Sequence, residues 1–74
     1  MEIKEFIEKV AEAIEIENVE EILPTTKFRD LDEWSSISVM ILIALFDEEF
    51  DKQIGDKEIR EAITIQDLYN LATA

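Results

Sequence analysis

Asp32-Glu33-Trp34-Ser35-Ser36-Ile37-Ser38-Val39-Met40-Ile41-Leu42-Ile43-Ala44-Leu45-Phe46-Asp47-Glu48-Glu49-Phe50 sets a serine pair directly in front of the most apolar run of the chain. A serine hydroxyl ahead of such a run marks a helix start, because it can accept from a first-turn N–H that has no partner inside the helix. The pattern therefore predicts a central helix beginning at Ser35 or Ser36. Ile37, Met40, Ile41, Ala44 and Leu45 recur at i, i+3, i+4, i+7 and i+8 and are expected to form the core stripe, with Phe50 near its foot. The opposite stripe, Val39, Leu42, Ile43 and Phe46, is equally apolar, so the helix must be covered on more than one side.

Working backwards, Ile3, Phe6, Ile7, Val10 and Ile14 keep helical spacing, and charged residues fill the outer positions, predicting a first helix from Glu2 to about Ile16. Glu5 and Lys9 form an i, i+4 pair of the favourable order, worth only a few tenths of a kcal/mol, so this helix depends on packing. Between Glu17 and Glu33 the period is lost. A long loop is expected there, pinned to the core by Val19, Ile22, Leu23, Phe28 and Leu31, with a helical turn over Glu20 to Leu23 before Pro24. Trp34 is expected to plug the entry to the central helix rather than to touch a ligand.

Beyond Phe50, Gly55 and Asp56 offer a helix stop followed by a new cap. A short third helix from about Lys57 to Ala62 would turn Ile59 and Ile63 inward. Thr64-Ile65-Gln66-Asp67 fits a capping pattern, and Leu68 and Leu71 continue a fourth helix. The fold class is all-α: a four-helix bundle with a long first loop and a short third helix, in one domain over residues 1–74. A chain this short buries only about 60% of its unfolded surface, so the core is marginal.

Composition narrows the chemistry. The chain has no Cys and no His, which removes thiolate nucleophiles, imidazole bases, disulfides and the usual zinc ligands. Ser35 and Ser36 have no His to activate them as hydrolytic nucleophiles. The window from Asp47 to Glu58 resembles a calcium loop in its oxygen spacing but places Lys52 where that loop requires Gly. The 19 acidic against 7 basic residues give a formal charge of −12, which disfavours nucleic acid and points to a basic protein partner, or simply to a solvated acidic surface. No apolar run approaches the roughly 20 residues needed to span a bilayer, and no signal-peptide pattern opens the chain. A cytoplasmic protein without membrane insertion is expected.

Phe28-Arg29-Asp30-Leu31, then Trp34-Ser35-Ser36-Ile37, then the apolar helix ending Phe46-Asp47-Glu48-Glu49-Phe50, then Ile54, Ile59 and Ile63-Thr64-Ile65-Gln66-Asp67-Leu68, resembles the acyl carrier protein family in its free-standing form. Ser36 stands at the family's modified serine, Ile37 at the following leucine, and Ser35 where the family has Asp. Serine can replace that Asp as a helix cap but supplies no negative charge. The resemblance implies 4'-phosphopantetheine attached covalently to Ser36 by a phosphopantetheinyl transferase. The arm then supplies the thiol that the chain lacks. It further implies a monomeric carrier, not itself an enzyme, of acyl or related groups for fatty acid, polyketide or specialised biosynthesis.

On the same basis, Ser35, Ile37, Met40, Asp47, Glu48, Glu49, Asp56 and Glu58 are expected to meet acyl-loading and acyl-processing enzymes through their basic docking patches. Asp51 and Glu61 extend that acidic band. Val39, Ile43, Leu45, Phe46, Ile59 and Ile63 are expected to line an acyl pocket, or alternatively to be plain core. The alternative overall is an unmodified carrier-like bundle acting as an acidic protein-interaction module.

Overall fold

In the computed structural model, which describes residues 1–74, helix α1 spans Ile3–Ala13. Phe6, Ile7, Val10 and Ala11 form its buried stripe. It stops short of Ile16 because Glu15 turns left-handed at φ 59° and the Ile16 N–H reaches back to the Ala11 carbonyl at 2.8 Å. Lys9 does not pair with Glu5; its ammonium meets the Glu49 carboxylate at 2.8 Å across the gap to the next helix. That hydrogen bond, then the charge of Glu49, raises the Lys9 pKa above its ordinary value.

The long first loop is pinned as expected, with Ile22 and Phe28 buried and single 3₁₀ turns over Val19–Glu21 and Phe28–Asp30. Leu23 is the exception and faces solvent. Trp34 is partly buried and packs on the Phe28 ring at 4.9 Å between centroids. Arg29 ties the loop to the far side of the bundle, donating to the carbonyls of Ala62 at 2.6 Å and Ile59 at 2.7 Å.

Helix α2 spans Ser38–Glu49, starting later than Ser35 or Ser36. Its core face is the reverse of the expected one. Leu42 and Phe46 are fully buried, whereas Ile37 is 60% exposed, Met40 71% exposed and Ala44 also open to solvent. Ile41 and Leu45 lie at the margin. The aromatic cluster decides the choice: Phe46 meets Phe6 edge-on at 6.0 Å, and Phe50 and Tyr69 close around Phe6 at 5.4 and 5.5 Å. Asp51, not Gly55, ends α2, taking the left-handed conformation at φ 53° while the Lys52 N–H returns to the Phe46 carbonyl.

Helix α3, Asp56–Glu61, is short as expected, and the Glu58 carboxylate accepts from the Gly55 N–H at 2.6 Å at its start. Ile59 is buried, but Ile63 is 55% exposed. The reason is local: Ala62 is already extended at ψ 145°, so helical spacing ends there and Ala62, not Ile63, fills the core position.

Helix α4 spans Ile65–Thr73. The expected capping pair forms, with the Asp67 N–H donating to Thr64 Oγ1 at 3.2 Å and the Asp67 carboxylate accepting from Ile63 and Thr64 N–H at 2.9 and 3.1 Å. The first loop completes this terminus, since Ile65 and Gln66 donate to the carbonyls of Thr26 and Pro24 at 3.0 and 2.9 Å. The four α-helices pack as an all-α bundle without strands; an isolated Lys27 to Thr64 bridge is the sole extended pairing. No helix is long and apolar enough to cross a membrane.

Candidate functional site

Two features of the sequence build the entrance to α2. Trp34, held on Phe28, fixes where the chain arrives, and the serines then form a four-residue turn. The Ser38 N–H donates to the Ser35 carbonyl at 3.0 Å, and the Ser35 N–H donates to Ser38 Oγ at 2.9 Å. Ile37, at φ −84° and ψ −12°, has the geometry of the third residue of a type I turn. Ser36 therefore stands at the apex. It is exposed, and its hydroxyl makes no hydrogen bond to the protein.

Ser35 is not a side-chain cap. No side chain accepts from the first turn of α2, and the N–H groups of Ile37, Val39 and Met40 have no partner within the protein. The contrast with α4 is direct, because there the loop carbonyls, Thr64 and the first turn itself occupy all of the leading donors. No carboxylate stands in the first turn of α2 either. The mouth of this helix combines open donors, the positive end of the helix dipole and an unengaged hydroxyl, an arrangement that suits an anion held on that oxygen.

The family model described as phosphopantetheine attachment site matches residues 4–72. The chain belongs to that family. Its cofactor is 4'-phosphopantetheine, covalently attached, and the chain is a carrier of the acyl carrier type. No solved structure matches the chain. The phosphopantetheine carriers supply an attachment point and leave catalysis to other proteins.

The residues at the mouth of α2 fit this prosthetic group: a reachable oxygen to esterify, backbone donors for a phosphodiester, and no like charge in the adjoining turn. The group, once attached, supplies the thiol for thioester chemistry that a chain without Cys cannot provide.

The other expected site residues separate into groups. Ile37, Met40, Asp47 and Glu48 share the exposed side of α2 with the serine turn. Glu49 is engaged by Lys9, Asp56 by Arg60 at 2.6 Å and Glu58 by the Gly55 N–H, so these three are committed to local contacts. The expected pocket residues do not converge on one space. Phe46 and Ile59 are fully buried in the core, Ile63 faces outward, and Leu45 turns towards Lys9 and Glu12 of α1.

An open groove of about 440 Å³ lies instead along α2 and the following loop, lined by Met40, Ile43, Ala44, Asp47, Gln53 and Ile54. Of the expected lining residues, Ile43 alone reaches it. Sequence periodicity missed Gln53, since nothing marks a loop residue as folding back on a helix face. It also missed Ser38, although its spacing of three from Ser35 repeats the spacing of a capping box.

Proposed function

We propose that this carrier holds acyl or related intermediates as thioesters on a phosphopantetheine arm at Ser36 and delivers them to partner biosynthetic enzymes. The observation that carries the assignment is the Ser36 hydroxyl: exposed, without a hydrogen-bond partner, at the apex of the turn that opens α2. In the loading reaction the Ser36 oxygen attacks the phosphorus of coenzyme A that bears the pantetheine. An oxygen–phosphorus bond forms there as the bond to adenosine 3',5'-bisphosphate breaks, and the hydroxyl proton leaves to a base on the transferase. Activation of the oxygen is the transferase's task, because this chain brings neither His nor Cys.

Partners are proposed to dock on the exposed side of α2. Ile37 and Met40 offer apolar anchors beside the serine turn, and Asp47 and Glu48 offer unpaired carboxylates further along the helix. A partner with a basic patch around an apolar centre matches this surface, and the charges act chiefly on encounter rate. The groove next to Met40 and Ile43 is proposed as the resting place of the apolar part of the cargo. Met40 lies in the first turn of α2, four residues beyond Ser36, so the groove begins close to the attachment turn.

Incubation with a phosphopantetheinyl transferase and coenzyme A tests the assignment. The wild type and Ser35→Ala gain the mass of one arm, and Ser36→Ala gains none. Addition at another residue contradicts the assignment, and no addition with several transferases favours an unmodified acidic interaction module.

A further inference from the structure

Ser38 is the one polar side chain in the interior, 1% exposed, on the face of α2 that carries Leu42 one turn further on. A hydroxyl in such a place destabilises the fold unless it is hydrogen-bonded. It has a specific partner: Ser38 Oγ accepts from the Ser35 N–H at 2.9 Å and lies 3.4 Å from Ser35 Oγ. The same two residues are joined again in the opposite sense, Ser38 N–H to Ser35 carbonyl, at 3.0 Å. The turn is thus closed twice by one residue pair, with Ser36 and Ile37 between them. One of these bonds belongs to any turn opening a helix; the other depends on the side chain at position 38.

We propose that Ser38 is a positioning residue for attachment of the arm: by holding the Ser35 N–H, its hydroxyl fixes the turn that presents the Ser36 oxygen to the transferase. The proposal rests on attachment at Ser36. Reactions between a docked oxygen and a fixed phosphorus are sensitive to small misplacement, so loosening this turn lowers the rate at a given occupancy of the docking surface. Docking is expected to change little, because Ser38 is buried and Met40, Asp47 and Glu48 lie on the helix beyond the turn.

The test compares Ser38→Ala, Ser38→Cys and Ser38→Thr in transfer from coenzyme A, with carrier concentration varied, alongside amide hydrogen exchange at Ser35. Alanine removes the acceptor, cysteine keeps the approximate volume with a weak acceptor, and threonine restores the hydroxyl. The alanine and cysteine variants are expected to lose roughly twofold to tenfold in kcat with KM for the carrier unchanged, the range set by one hydrogen bond's net contribution. Their Ser35 N–H exchanges faster, and the threonine variant restores both readouts. The cysteine variant carries the comparison if alanine does not fold.

Wild-type kcat in both the alanine and cysteine variants, a loss confined to KM, or unchanged exchange at Ser35 overturns the proposal while leaving attachment at Ser36 intact. A wild type that is not modified at Ser36 removes both.

Discussion

The face of α2 that holds the molecule together can be tested by truncating one residue on each side of it. Leu42 is fully buried in the core cluster that also holds Phe6, Phe46, Ile59 and Leu68, whereas Met40, two residues earlier, is 71% exposed. Leu42→Ala deletes three buried carbons and leaves a cavity in the core, a loss of about 2–5 kcal/mol. A chain of 74 residues has a total stability of roughly 4–11 kcal/mol at the usual 0.05–0.15 kcal/mol per residue, so this single change consumes a large share of it. At about 4–8 °C per kcal/mol for domains of this size, Tm falls by roughly 8 °C or more.

Met40→Ala removes a side chain already in water and is expected to stay within about 0.5 kcal/mol of the wild type. Urea unfolding followed by circular dichroism, with the slope checked for constancy, gives both values. The functional readout runs the other way: Met40→Ala slows loading by a transferase, and Leu42→Ala, measured where it is still folded, loads normally. A large loss from Met40→Ala together with a small one from Leu42→Ala would refute the assignment of the two faces.

Three further outcomes are expected. Arg29→Met removes two donors from the carbonyls of Ile59 and Ala62 and is expected to cost about 1–3 kcal/mol, with faster amide exchange in α3, as read by urea unfolding and hydrogen exchange. The Asp67 carboxylate, stabilised by the N–H groups of Ile63 and then Thr64, has a pKa held below its ordinary value of 3.8. Its contribution is therefore present above that ordinary value and is lost as pH falls through the lower folded value, so the stability gap between wild type and Asp67→Ala narrows as pH drops below about 4. Last, the association rate with a basic transferase is expected to fall as salt rises, and Asp47→Asn with Glu48→Gln together to lower it at low salt and flatten that dependence, as stopped-flow mixing would measure.

The number and order of helices were legible because α1 and α4 each carry one apolar stripe, and because Thr64 and Asp67 form a local cap that needs no tertiary context. Helix α2 was different. Both of its sides are apolar, so periodicity could not say which would meet Phe6; that depended on where α1 and α4 lie, which is a property of the assembled bundle. The uncovered side, from Ile37 through Met40 to Ala44, is the surplus apolar surface that such a helix leaves when the chain is too short to wrap it.

The family was legible from an ordered set of residues, with Ser36 proposed from its place in that set, while the capping role of its neighbour was misassigned. Ser35 looked like a cap, yet its side chain accepts from no backbone N–H; its backbone donates to Ser38 instead, a long-odds choice when a buried hydroxyl competes with an apolar alternative. Arg29 and Gln53 were illegible for a simpler reason: each acts across the fold, one on the end of α3 and the other on the side of α2.

The most direct measurement is site-resolved fragmentation of the protein isolated from the cell that makes it, on the peptide containing Ser35, Ser36 and Ser38. A phosphopantetheine mass localised to Ser36, with or without a thioester-linked cargo, is the expected result. The same mass on Ser35 or Ser38, or a bare Ser36 in every growth condition, would contradict the account.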